Sequence, residues 1–256
     1  MYIIGDVHGC YKTLLALVDK LPKDSKIVFV GDLLDRGSNS KDVIKFVREN
    51  NYDCVLGTHE KLALSTNGKL YTNGLLTKWG QDGGIECMKS YQDDFRQFAD
   101  DYKWMSTLPH YLIYDNLVDS VGRKLLITHA CALDFIEQYI NAKNKIDNSV
   151  YELDSQTLND FFCYEKLLVS NRKLSTKSDS GYFNIFGHTP IDRYFGNKSP
   201  DVIVPKVENG VIIDKCFGYA NIDTGAVYKD ERDRSILSAI EFPSLKVVQQ
   251  ANIENF

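Results

Sequence analysis

The chain has 256 residues, 43% of them apolar, enough to bury a full core as a single domain over 1–256. Its formal charge of -5 gives no basic field for holding nucleic acid, and no apolar run approaches the roughly 18 to 20 residues that span a bilayer. A soluble, cytoplasmic protein is expected, because the first strand opens at Tyr2 with no room for a signal peptide, and six scattered cysteines without a Cys-x-x-Cys pair read as free thiols.

Residues 2–4 are a β-branched and aromatic run that predicts a strand, followed by Gly5-Asp6-Val7-His8-Gly9. Leu14, Leu15, Leu17, Val18 and Leu21 then place a core-facing helix over 13–21, closed by Pro22. The unit repeats, with a strand over 26–30, the segment Gly31-Asp32-Leu33-Leu34-Asp35-Arg36-Gly37, and a helix capped by Ser40 that turns Val43, Ile44 and Val47 inward. A third strand over 53–56 leads into Gly57-Thr58-His59-Glu60 and a helix starting at Lys61. This alternation implies parallel strands with right-handed crossovers.

Residues 67–105 are polar and aromatic, with helices expected at Ile85–Tyr91 and Phe95–Met105, and read as an excursion over one side of the site. A strand over 124–128 ends in Thr128-His129-Ala130, residues 132–177 read as mostly helical, and 173–181 as a flexible loop. A strand over 183–186 enters Phe186-Gly187-His188-Thr189-Pro190. Beyond 202 the texture is β, with strands over 211–213, 217–222, 236–242 and 245–249 and turns at Asn209-Gly210 and Pro243-Ser244. These are expected to form a second, partly antiparallel sheet.

Every one of these polar motifs follows a strand, and loops at the carboxyl edge of a sheet converge on one crevice. Carboxylate oxygen and neutral imidazole are the donors that water-activating metals take, and a bridging carboxylate holds two such ions about 3.5 to 4 Å apart. Of five histidines, His8, His59, His129 and His188 fall in the motifs, while His110 reads as structural. Asp6 and His8 reach one metal if the backbone turns, which Gly5 and Gly9 permit. Asp32 is the candidate bridge, and His129 and His188 are the candidate ligands of a second metal. A hydroxide held between them would be the nucleophile, its pKa lowered toward roughly 7 or 8. Arg36 is placed to clamp phosphate oxygens in a fork, and His59, oriented by Asp35, makes a general acid for the leaving oxygen. A dinuclear hydrolase of phosphate esters follows.

At these residues the sequence resembles the phosphoprotein phosphatase family of the calcineurin-like metallophosphoesterases, whose motifs are Gly-Asp-x-His-Gly, Gly-Asp-x-x-Asp-Arg-Gly, Gly-Asn-His-Glu, His-Ala-Gly and Gly-His-Thr. Trp79-x-x-Asp82-Gly83-Gly84, Gly187-His188-Thr189-Pro190 and Asn221-Ile222-Asp223-Thr224-Gly225-Ala226 resemble its bacterial and phage branch, which includes serine/threonine/tyrosine protein phosphatases and symmetrical diadenosine tetraphosphate hydrolases. The resemblance implies an α/β fold, a four-layer αββα sandwich of two mixed sheets, with two divalent metals, manganese or iron with zinc. It implies Asp6, His8 and Asp32 on one metal, Asp32, His129 and His188 on the other, and Arg172 as a second phosphate-binding arginine.

Three residues depart from the family. Thr58 stands where the family carries an asparagine ligand of the second metal, and its shorter, less polarised hydroxyl predicts weaker occupancy. Leu56 stands where many protein phosphatases have a third phosphate arginine, and Cys131 replaces the glycine of His-Ala-Gly, as inert packing or as an oxidisable thiol. The expected activity is that of a phosphomonoesterase, a serine/threonine protein phosphatase of broad specificity acting on phosphorylated proteins or small phosphoesters, with no nucleic acid, membrane or obligatory partner. A symmetrical dinucleoside polyphosphate hydrolase is the alternative. A catalytically impaired phospho-ligand binding protein, suggested by Thr58, is a third reading. Substrate choice is expected to lie in 67–104 and 173–181.

Overall fold

A computed structural model describes residues 1–148, 155–176, 179–194, 207–208, 210–228 and 235–255. The amino-terminal part alternates as expected: β1 (Tyr2–Ile4), α1 (Tyr11–Val18), β2 (Ile27–Phe29), α2 (Ser40–Glu49), β3 (Asp53–Cys54) and α3 (Thr58–Ser65), with β1, β2 and β3 paired in parallel. The excursion then carries the hairpin β4 (Tyr71–Thr72) and β5 (Leu75–Leu76), a π-helical turn at Gly80–Gly84, α4 (Ile85–Tyr91) and α5 (Phe95–Met105). It is followed by β6 (Tyr111–Val118), β7 (Lys124–Thr128), α6 (Ile136–Asp147), α7 (Ser155–Ser170) and β8 (Tyr182–Phe186). The last strands are β9 (Val207–Glu208), β10 (Val211–Asp214), β11 (Tyr219–Asn221), β12 (Ile236–Glu241) and β13 (Val247–Ala251).

Two mixed sheets result, ordered β13-β12-β1-β2-β3 and β6-β7-β8-β11-β10-β9. Alternation along the strands sends Ile3, Val28 and Val30 into a core shared with Leu125, Ile127, Phe183 and Ile185 of the second sheet and with Ile136, Tyr139 and Leu168 of α6 and α7. The other face of the first sheet, through Tyr2, Ile4, Ile27 and Phe29, packs on Leu14 and Leu17 of α1 and on Val43, Ile44 and Val47 of α2. The architecture is therefore the four-layer αββα sandwich. Each fully buried aliphatic or aromatic side chain contributes about 1.5–3 kcal/mol, and together they hold the strand ends that carry the polar motifs. No helix among the described residues is long and apolar enough to cross a membrane.

The carboxy-terminal strands do not make one sheet. β12 and β13 extend the first sheet antiparallel to β1, whereas β11 joins the second through a parallel pairing with β8. Both destinations are buried, so the apolar texture is the same and does not name the partner. β6, paired antiparallel with β7 at the edge of the second sheet, escapes the pattern because the exposed Asp115 and Asn116 interrupt its apolar residues. α1 starts at Tyr11 and ends at Val18. α3 starts at Thr58 and not at Lys61, because Gly57 takes the cap position and the Glu60 carboxylate folds back to accept its N–H at 3.0 Å. Asn39, not Ser40, flanks α2, and the Ser40 hydroxyl accepts the Asp35 N–H at 3.0 Å. Asn209 of the expected turn and residues 177–178 of the 173–181 loop lie outside the described residues.

Candidate active site

The carboxyl ends of β1, β2, β3, β7 and β8 deliver the polar motifs to one place. Asp6, His8, Asp32, Asp35, His59, His129 and His188 are all buried, Thr58 is half-buried, and Arg36 and Arg172 are exposed. His8, Asp32, Asp35, Arg36 and His188 hold φ values of 47, 51, 73, 66 and 68°, the left-handed region that costs a residue with a side chain about 1–3 kcal/mol. Strain of this kind persists only where the surroundings over-determine it.

Two ligand clusters share Asp32. His8, Asp32 and His59 form one, and Asp32, His129 and His188 the other, with donor atoms in each set within 4.8 Å of one another. Asp32 Oδ2 lies 3.6 Å from His8 Nε2 and Oδ1 lies 3.4 Å from His129 Nε2. Asp6, expected beside His8 and Asp32, is in neither set of three; its carboxylate accepts the His188 N–H at 3.1 and 3.3 Å and its charge acts on His129. Buried Nε2 atoms of both His129 and His188 lack a hydrogen-bond partner, as ligand atoms do. The donor set of carboxylate oxygen and imidazole nitrogen thus fits divalent metals.

Backbone carbonyls select the tautomers. His129 Nδ1 donates to Val30 O at 2.7 Å and His8 Nδ1 to Leu34 O at 3.0 Å, which turns each Nε2 toward Asp32. His8 Nε2 accepts from Arg36 Nη1 at 2.7 Å. The Thr58 hydroxyl donates to Val169 O, and its oxygen lies 3.0 Å from His188 Nδ1, so the two candidate donors of the second metal stand side by side.

The electrostatics describe a cation-seeking floor. Burial disfavours charge on His129, yet the carboxylates of Asp32 and Asp6 and the Val30 carbonyl raise it to about 10, and a field that holds a proton so firmly also attracts a metal. Burial and the neighbouring His129 lower His188 to about 3, keeping its ring neutral as a ligand must be. Burial pushes Asp32 up, but His129, His59 and His8 outweigh it and hold the carboxyl well below its ordinary value. Asp6 is raised by burial and by Asp223 beside it.

His59 Nδ1 meets Asp35 Oδ2 at 2.7 Å, the expected acid and orienter, and its backbone N–H donates to Asp32 Oδ1 at 2.8 Å. Burial lowers His59, while Asp32 and Asp35 overcome that and raise it. The Arg36 guanidinium stands over the Tyr228 ring, 5.9 Å from its centroid. Arg172 follows α7, and its charge helps lower His188.

Two residues had no role assigned from the sequence. Glu60, fully buried, accepts N–H groups of Asp32 at 2.9 Å, Leu33 at 2.8 Å and Gly57 at 3.0 Å, locking the Asp32 loop to α3, and burial and Asp32 push it up to about 7. Its place beside His59 in Gly57-Thr58-His59-Glu60 was the only signal. Asp223 is buried next to Asp6 and raised to about 6 mainly by burial; its place in the motif over 221–226 was the only signal. Cys131 is buried and its thiol pushed up to about 12 by burial, the state of an inert packing residue.

The sequence pattern of the calcineurin-like phosphoesterase family matches residues 1–214. The chain is 32% identical over 87 residues to a serine/threonine-protein phosphatase 1 of Salmonella typhimurium, covering 33% of this chain and 38% of that protein. It is 44% identical over 64 residues to a symmetrical bis(5'-nucleosyl)-tetraphosphatase of Salmonella paratyphi A, covering 23% of each. These curated relatives are thus matched over well under half of their length. A protein serine/threonine phosphatase structure from Saccharomyces cerevisiae superposes with a TM-score of 0.55 at 16% identity, covering 100% of this chain and 80% of that one. A cold-active protein-tyrosine phosphatase of a Shewanella species gives 0.51 at 14% identity, covering 97% and 76%. At such identities the likeness is one of fold.

Proposed function

The chain belongs to the calcineurin-like phosphoesterases, and from that premise we propose that it is a metal-dependent phosphomonoesterase, a serine/threonine protein phosphatase of broad specificity. The observation that carries this reading is the sharing of Asp32 by two buried ligand clusters, with Arg36 exposed at their rim. Asp6, His8 and Asp32 would hold one divalent metal, and Asp32, Thr58, His129 and His188 a second, with manganese the first choice and iron or zinc the alternatives. Bound there, the metals supply activation of a water as nucleophile and neutralisation of phosphoryl charge. Arg36 binds and orients phosphate oxygens through its planar fork, and Arg172, whose charge reaches His188, adds positive charge. His59, held by Asp35, gives its proton to the leaving oxygen.

The identity to the tetraphosphatase favours a second reading, hydrolysis of a symmetrical dinucleoside polyphosphate. Manganese-loaded protein offered a phosphothreonine peptide and diadenosine tetraphosphate separates the two. Orthophosphate from the peptide is expected; nucleoside diphosphate from the tetraphosphate, with the peptide untouched, would move the assignment to the second reading. Thr58 motivates the third, a binder that grips phosphate without turnover, and Thr58→Asn tests it. Turnover by the native chain is expected, and turnover by the asparagine form alone would establish the binder.

A further inference from the structure

The excursion between α3 and β6 sets one side chain against the acid pair. Trp79 is fully buried, and its indole N–H lies 2.9 Å from Oδ1 and 3.0 Å from Oδ2 of Asp35, the carboxylate that accepts His59 Nδ1–H. The ring is closely seated. It stacks on Phe98 with centroids 5.9 Å apart and planes 11° from parallel, and Gly84 approaches it so closely that a Cβ there would come within 2.7 Å of the ring carbons. Gly83, at φ 113°, presses on the neighbouring peptide: its carbonyl accepts the Arg36 N–H at 3.4 Å, and a Cβ would sit 2.7 Å from Arg36 N. The segment from Trp79 to Gly84 is thus a plate beneath the strained Asp35-Arg36 turn.

We propose that Trp79 is a positioning residue for hydrolysis of the phosphoester, its indole N–H fixing the Asp35 carboxylate so that Asp35 holds the His59 ring with Nε2 toward the leaving oxygen. The proposal rests on the reading of His59 as the general acid. In that step the phosphorus bond to the leaving oxygen breaks as the water oxygen bonds to phosphorus and gives up one proton to solvent; the His59 proton passes to the leaving oxygen and is replaced from solvent, while Trp79 keeps its own. Asp35 is fully buried, so without the indole its oxygens lose a donor and the bond to His59 alone orients the carboxylate. Gly83 and Gly84 are the residues whose missing side chains let the plate close.

General acid catalysis matters most for poor leaving groups, and this gives a readout that a merely structural role would not move. Turnover of dinitrophenyl phosphate and phenyl phosphate by manganese-loaded protein would be compared for the native chain, His59→Ala, Trp79→Phe, and a chain with Trp79 replaced by benzothienylalanine, which keeps the shape of indole with sulfur in place of N–H. Manganese content and melting temperature would be measured for each. The expected result is a loss of about 10-fold in kcat on phenyl phosphate and less than about 2-fold on dinitrophenyl phosphate for both Trp79 variants, at unchanged manganese content. The benzothienyl variant decides the matter if the phenylalanine one does not fold. A loss equal on both esters, or none, overturns the proposal. If His59→Ala is selective for phenyl phosphate and the Trp79 variants are not, only the role of Trp79 fails; if His59→Ala is itself unselective, the acid assignment fails and the proposal with it.

Discussion

Asp32 and Arg36 share one loop, yet the first is 2% exposed, held by Glu60 at its N–H and facing His8 and His129, while the second is open to solvent with its guanidinium over Tyr228. The same contrast runs through the whole site. On the floor, His129 is aimed by Val30, His8 by Leu34 and His59 by Asp35, all of them buried. On the rim, Arg172 is exposed like Arg36. Burial and these hydrogen bonds hold the floor in place, as a group that does chemistry requires. The rim can act only through charge and reach, so in the proposed reading it tunes affinity and choice of substrate.

The strongest attack on this contrast is at its deepest point. Asp32→Asn weakens the donor shared by both clusters, and the account expects bound manganese to fall together with kcat by about 10³-fold, measured by metal analysis and aryl phosphate turnover. His59→Ala comes next, with about 10²-fold lost on a poor leaving group and metal content unchanged. Arg36→Lys keeps the charge and loses the fork, so KM should rise about 10-fold with kcat little changed. The smallest effect belongs to Arg172→Ala, about 2-fold in KM at low salt and fading as salt is added. A larger effect for Arg172→Ala than for Asp32→Asn would invert the floor and the rim.

The pH profile sharpens the comparison. Burial lowers His59, but Asp32 and Asp35 raise it above the ordinary value of about 6.5. With the protonated ring as the proposed acid, activity should be retained below the raised value and lost as pH climbs through it. Asp35→Asn removes one of the raising carboxylates, and the alkaline limb of kcat should move to lower pH. An unmoved limb would show that Asp35 does not tune the acid.

What was legible follows from where information is local. Asp6, His8, Asp32, His59, His129 and His188 each stand at the end of a short apolar run, and a strand end is written in the residues around it. α4 and α5 are bounded as the pattern gives them. The destination of β12 was not legible, because a strand buried on both faces carries no mark of its neighbour, and β6 was hidden by its polar outer residues. Glu60 was visible as part of a motif, but its task of gripping the Asp32 loop depends on a contact 28 residues away. The bond of Trp79 to Asp35 spans 44 residues. Side-chain contacts made across the fold are the part that periodicity cannot supply.

The central claim is that two metals share Asp32 on the floor. Anomalous diffraction from crystals grown with manganese tests it most directly. The account predicts two manganese peaks about 3.5 to 4 Å apart on either side of the Asp32 carboxylate, one flanked by Asp6 and His8, the other by His129 and His188. A single peak, or a pair that does not share Asp32, would contradict it.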